Sequence, residues 1–156
     1  MYFLILKWSM DFLTLSYYKI KRNHMKITLQ STDNLDHYVG ANEDGQEVHL
    51  SGDGSAVGPM QSVLMAVAGC STIDIVMILK KMRQRLEKIE VETEGKRREE
   101  IPRYFTGIHL HYKLYGEIKE KKAVEAIDLS IEKYCSVSKM LEQAAEITTS
   151  FEIIST

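Results

Sequence analysis

From Pro59 to about Leu86 the chain reads PMQSVLMAVAGCSTIDIVMILKKMRQRL, and after the opening proline only Gly69 interrupts its helix-forming residues. Val63, Leu64, Met65, Val67, Ala68, Ile73, Ile75, Val76, Ile78 and Leu79 would put apolar groups on almost every side of such a helix. A helix that is apolar all round is expected to be buried. Pro59 suits its first turn, where the missing N–H costs nothing. At ~1.5 Å per residue it would span roughly 40 Å, the width of a small domain. The other elements must therefore wrap it. Its last two turns, rich in Lys and Arg, are expected to meet water and complement the helix dipole.

The flanking sequence supplies candidates for the wrapping. KITLQ, HYVGA and QEVHL read as strands, with Asp44-Gly45 a hairpin signal between the last two. Beyond the helix, KIEVETE (88–94) and FTGIHLHYKLY (105–115) alternate as a second antiparallel pair. KEKKAVEAIDLSIEKYC carries Ala123, Val124, Ile127, Ile131 and Tyr134 at helical spacing. The serines of SVS (136–138) interrupt that helix, and a short helix KMLEQA and a strand ITTSFEIIS close the chain. The expected fold class is α+β, with antiparallel sheets wrapped around helices. The expected organisation is a single domain over residues 25–156, since 156 residues hardly supply two cores. Residues 1–24 are set apart as an N-terminal extension, non-native or poorly ordered. Lys7 and Asp11 interrupt their apolar run, which reads as neither signal peptide nor membrane span.

Composition excludes several function classes. A net charge of −2 with 27% charged residues lacks the cationic footprint of a nucleic-acid binder. The basic run KKMRQRLEK passes directly into acidic IEVETEGKRREE, a mixed-sign solvated surface. Two cysteines without metal-ligand spacing argue against both a secreted disulfide scaffold and a zinc site. A reducing, cytoplasmic setting is expected. His109 and His111, two apart on a strand, share one face and could ligate a metal, but the reading adopted is a polar strand face. Met60, Met65, Met77 and Met82 are read as core filler.

Cys70 stands in AVAGCSTID with Asp74 one turn later, and Cys135 stands 65 residues on, between Tyr134 and Ser136. Each alone fits a small buried packing residue. Together they also fit a two-step thiol cycle, in which one thiolate is oxidised to sulfenic acid and the second condenses with it to a disulfide. Gly69, Ser71 and Thr72 thin the cover around the first sulfur.

The stretches GPMQSVLMAVAGC and STIDIVMILKK, then RREEIPRYFTGIHLHY, then DLSIEKYCSVSKML, resemble the OsmC/Ohr family of organic hydroperoxide reductases and osmotically induced proteins, most closely its YhfA-like branch. The resemblance runs from about Met25 to the C-terminus. It implies an intertwined homodimer with active sites at the subunit interface. It further implies that Cys70 is the peroxidatic thiol and Cys135 the resolving one, with an organic hydroperoxide as substrate. The reductant it implies is an external dithiol such as lipoamide, and no metal or haem is used. Family peroxidases carry a glutamate shortly after the helix-opening proline, paired with an arginine. Here Met60 and Gln61 follow Pro59, and the hairpin HYVGANEDGQEVHL has no arginine. Gln61 is the candidate to hydrogen-bond a substrate oxygen, and Arg103, near Arg97 and Arg98, the candidate cation. The competing reading is a catalytically weak or inactive dimer that binds an apolar small molecule or serves structurally.

Overall fold

The computed structural model of the chain describes residues 24–155. Except for His24, the expected N-terminal extension lies outside the described residues. Two compact units follow one another in sequence, the first ending at Gly58 and the second beginning at Pro59.

The first unit is an antiparallel meander of β1 (Ile27–Ser31), β2 (His37–Asn42) and β3 (Glu47–Ser51). The Asp44-Gly45 signal is realised as a tight turn. Gly45 takes φ +77°, which costs a glycine little, and Asn42 Oδ1 accepts from the backbone N–H groups of Asp44 and Gln46. Register places Leu29, Gly40 and Val48 in one cross-strand row. Ile27 lies two residues from Leu29 and so on the same face. Ile27, Leu29 and Val48 are 66%, 55% and 53% exposed, an apolar sheet face open in the single chain.

The second unit opens with α1 (Pro59–Lys81), 23 residues and about 35 Å long. It then runs through β4 (Arg85–Arg97), β5 (Phe105–Glu117), α2 (Glu120–Leu129), a π-helical turn (Ser130–Tyr134), α3 (Ser136–Leu141) and β6 (Glu146–Ile154). The sheet order is β4-β5-β6. β5 is central, and its alternation is complete: Ile108, Leu110, Tyr112 and Leu114 are buried while the residues between them are only partly covered. Each of those side chains contributes roughly 2 kcal/mol of burial before entropy is counted. Val67, Ile75 and Leu79 of α1, Ala123, Ala126 and Ile127 of α2, and Phe105, Cys135 and Ala145 join them in the core.

Three expectations are corrected. The second sheet is mixed rather than purely antiparallel. β4 and β5 form a hairpin, but β6 lies parallel to β5, because the chain crosses back through α2 and α3 before pairing. The long helix is not buried all round. Only Val67, Ser71, Ile75 and Leu79 are buried, one stripe at four-residue spacing, whereas Met65, Ile73 and Met77 are 58%, 62% and 53% exposed. Two of the supposed filler methionines are thus on the surface of the single chain. By length and composition alone α1 could cross a membrane, but its stripe packs on the unit's own core, with β4, α2 and α3 against it. The third correction concerns its end, expected near Leu86 and found at Lys81.

That stop has a clear mechanism. Arg83 adopts φ 57°, the Arg83 N–H donates to Lys80 O, and the Gln84 N–H donates to Leu79 O. This is a Schellman motif with arginine where glycine is usual, so no sequence signal announced it. The cationic run then continues as strand, where Arg85 pairs with Glu87, and Lys88 with Glu90.

Two glycine-related substitutions should move stability in opposite directions. Arg83→Gly relieves a left-handed side-chain residue and should stabilise the fold by ~1 kcal/mol, read as a raised urea midpoint at unchanged slope. Gly116 has φ +128° and a Cβ there would run into Arg85 O. Gly116→Ala should therefore cost more than ~2 kcal/mol in the same titration.

Candidate functional site

The break between α2 and α3 is built on backbone and hydroxyl contacts. α2 widens into a π turn at its end, and the Cys135 N–H donates to Ser130 O at 2.8 Å. Cys135 then leaves helical geometry (φ −68°, ψ 102°) and becomes the N-cap of α3, its sulfur accepting from the Ser138 N–H at 3.4 Å. The cap is the cysteine itself, not the serines that follow it. Ser138 Oγ stays on the same turn, 2.9 Å from Cys135 O and 3.0 Å from Ile131 O.

A buried seam ties this turn to α1. Tyr112 on β5 donates to Ser71 Oγ at 2.7 Å, and Ser71 Oγ in turn donates to Val67 O at 2.8 Å. Ser130 Oγ donates to the Ser71 carbonyl at 3.1 Å. All four residues of the pattern that carry hydroxyls, Ser71, Tyr112, Ser130 and Ser138, are fully buried. Leaving any one unpaired would cost about 1–3 kcal/mol, so the seam selects one docking of the turn on the helix. Burial pushes the Tyr112 phenol up to about 12, and it remains a neutral donor.

The consequence is proximity between distant sulfurs. Cys70 precedes Ser71, and Cys135 follows the π turn from Ser130. Cys70 Sγ, Cys135 Sγ and an Asp74 carboxylate oxygen lie within 4.8 Å of one another. Both thiols are free. Cys135 is fully buried and Cys70 partly exposed. Burial holds the Cys135 thiol above its ordinary range, and the adjacent Cys70 adds to that, against the Ser138 N–H contact that lowers it. Burial also raises the Asp74 carboxyl. Among the described residues no fourth His, Cys, Asp or Glu joins the trio, which leaves it one donor short of a closed structural zinc shell. Beside Asp74 a cavity of about 290 Å³ is lined mainly by Met77, Ile78, Met82, Leu129 and Tyr134, with Lys81 at its wall.

The other sequence candidates stand elsewhere in the chain. Gln61 is in the first turn of α1, about 13 Å along the axis from Cys70. Arg103 lies in the loop after β4, where its Nε donates to Glu99 O. Gly95, near that loop, packs against Leu64, toward the same end of α1 as Gln61. His109 and His111 form a polar ladder with β6. His109 contacts Thr148 and Ser150, and His111 contacts Ser150, each at 2.8 Å. Tyr112, Ser130 and Ser138 were missed as site residues. The available signal was that Ser130 continues the three-residue spacing of the buried Ala123, Ala126 and Ile127, so its hydroxyl had to be buried too.

Comparison with known proteins agrees with this architecture. The family model described as OsmC-like protein matches residues 52–150. Protein YhfA of Escherichia coli (strain K12) is 45% identical over 120 residues, covering 75% of this chain and 90% of that protein. A crystal structure of a hypothetical protein from Aquifex aeolicus VF5 superposes with a TM-score of 0.79 at 29% identity, over 85% of this chain and 98% of that one. The organic hydroperoxide resistance protein OhrB of Bacillus subtilis shares the fold at 14% identity, with a TM-score of 0.62 over 83% of this chain and 98% of that one. The chain belongs to the OsmC/Ohr family, in the YhfA-like branch.

Proposed function

We propose that the protein is a thiol-dependent reductase of organic hydroperoxides, with Cys70 peroxidatic and Cys135 resolving. The observation that carries this reading is the approach of two sulfurs, 65 residues apart in sequence, to within 4.8 Å. A disulfide needs ~2.05 Å between sulfurs, so a modest side-chain adjustment closes the bond. The division of labour follows accessibility. Cys70 is the more exposed and meets the peroxide, while Cys135, buried and with its thiol form favoured, waits for the sulfenic acid. The Cys70 thiolate attacks the distal peroxide oxygen and the alcohol leaves. Cys135 displaces water from the sulfenic acid, and an external dithiol such as lipoamide resets the disulfide by exchange. The reducing cytoplasm suits this cycle. The apolar cavity beside the pair favours an alkyl tail over hydrogen peroxide.

The working form is a homodimer. Support comes from the apolar groups that the single chain leaves open, Ile27, Leu29 and Val48 on one unit and Met65, Ile73 and Met77 on the other. Gln61 and Arg103 keep their candidate role as substrate-binding groups in that assembly. One observation favours a catalytically weak binding module instead, the absence of a carboxylate directly after Pro59.

Cumene hydroperoxide consumption with excess dithiol separates the readings. Cys70→Ser should lower the rate by at least ~100-fold, whereas wild type no faster than this variant would leave the binding module. Cys135→Ser should keep one stoichiometric oxidation and lose cycling, and sustained turnover would place resolution on another group. Light scattering should give twice the mass of one chain, and a monomer mass would remove the dimer.

A further inference from the structure

Asp74 lies one helical turn after Cys70, so the two side chains share a face of α1. Its Oδ2 is sealed from solvent and has no hydrogen-bond partner among the described residues. A buried oxygen left so is costly as a carboxylate, and the cost falls when it carries a proton or meets a donor. Its carboxyl stands within 4.8 Å of both sulfurs, and the cavity that would admit an alkyl tail begins at this same side chain. No other carboxylate joins the pair among the described residues.

We infer that Asp74 is the acid–base residue of the Cys70–Cys135 pair, giving a proton to the departing alkoxide and then relaying the proton of the resolving thiol. The inference rests on the peroxidase reading above. In the first step the Cys70 thiolate bonds to the distal oxygen as the O–O bond breaks. Sulfur is oxidised to the sulfenic acid, and the alkoxide leaves as alcohol with the Asp74 proton. In the second step the Asp74 carboxylate takes the Cys135 proton and the new thiolate bonds to the Cys70 sulfur. The departing hydroxide takes that proton back and leaves as water. Solvent then reprotonates Asp74, replacing the proton that Cys70 released on forming its thiolate. The net change is two thiols and one hydroperoxide to one disulfide, one alcohol and one water.

The direction of the pH effect follows. Burial raises the Asp74 carboxyl, so its acid form persists to higher pH than in an exposed carboxylate. The titratable groups facing it are Cys70 and Lys81 on α1, Tyr134 on the π turn and Cys135 at the start of α3. Tyr112 on β5, bonded to Ser71 and close enough to Cys135 to interact with it, stays neutral. The oxidation rate needs thiolate and acid together, so it should rise with pH below the lower of the two titrations and fall above the higher.

The test is stopped-flow oxidation of the full chain by cumene hydroperoxide across pH, comparing wild type, Asp74→Asn and Asp74→Glu. Asp74→Asn should be slower by on the order of 100-fold and lose the alkaline fall. Asp74→Glu should recover part of both. Continued protection of Cys135 from iodoacetamide shows that each variant is folded. Asp74→Asn matching wild type in rate and pH profile overturns the inference and leaves the peroxidase reading standing. Wild type without hydroperoxide consumption overturns the peroxidase reading. That outcome removes the departing alkoxide and with it the inference, whereas the Asp74→Asn comparison tests the inference by itself.

Discussion

The hydrogen bond from Tyr112 to Ser71 is the contact on which the site geometry depends. It joins the central strand β5 to the middle of α1 where both side chains are sealed from bulk solvent. Ser130 adds the third partner by bonding the Ser71 carbonyl. Apolar packing by itself is non-directional and would tolerate several positions of the turn after α2. A buried hydroxyl left unpaired is not tolerated at comparable cost, so the seam converts a greasy junction into one arrangement. The two sulfurs are carried by neighbours of the bonded serines, and their approach is inherited from that registration.

The same helix has a second, unmet demand. Its buried stripe ends in the core of one chain, yet Met65, Ile73 and Met77 remain outside it. An α/β layer can cover only one side of a helix of this length. The proposed dimer would cover these open apolar groups of α1. The proposed chemistry and the proposed association would draw on one element, since Cys70 and Asp74, both partly exposed, adjoin its covered stripe.

The elements themselves were legible because each follows a period. The alternation of FTGIHLHYKLY became β5, and the three- and four-residue spacing of AVEAIDL became α2. What escaped was set by backbone geometry without a residue signature. Arg83 stops α1 in a left-handed conformation that glycine normally marks. The π turn depends on one shifted hydrogen bond, and the parallel pairing of β6 depends on where a crossover lands. Among the site residues, both cysteines and the position of Asp74 were visible in sequence. Tyr112 and Ser130 were not, since an alternating strand and an amphipathic helix say which side is covered but not what covers it.

The sequence by itself determined the α+β element order, the apolar identity of α1 and the two thiols with their family context, because these are properties of local pattern and residue type. Tertiary structure alone decided that Cys70, Asp74 and Cys135 share one small volume and that one side of the central helix stays open in a single chain. Both depend on long-range registration, in which a tyrosine 41 residues from its serine selects one docking among many that burial would accept.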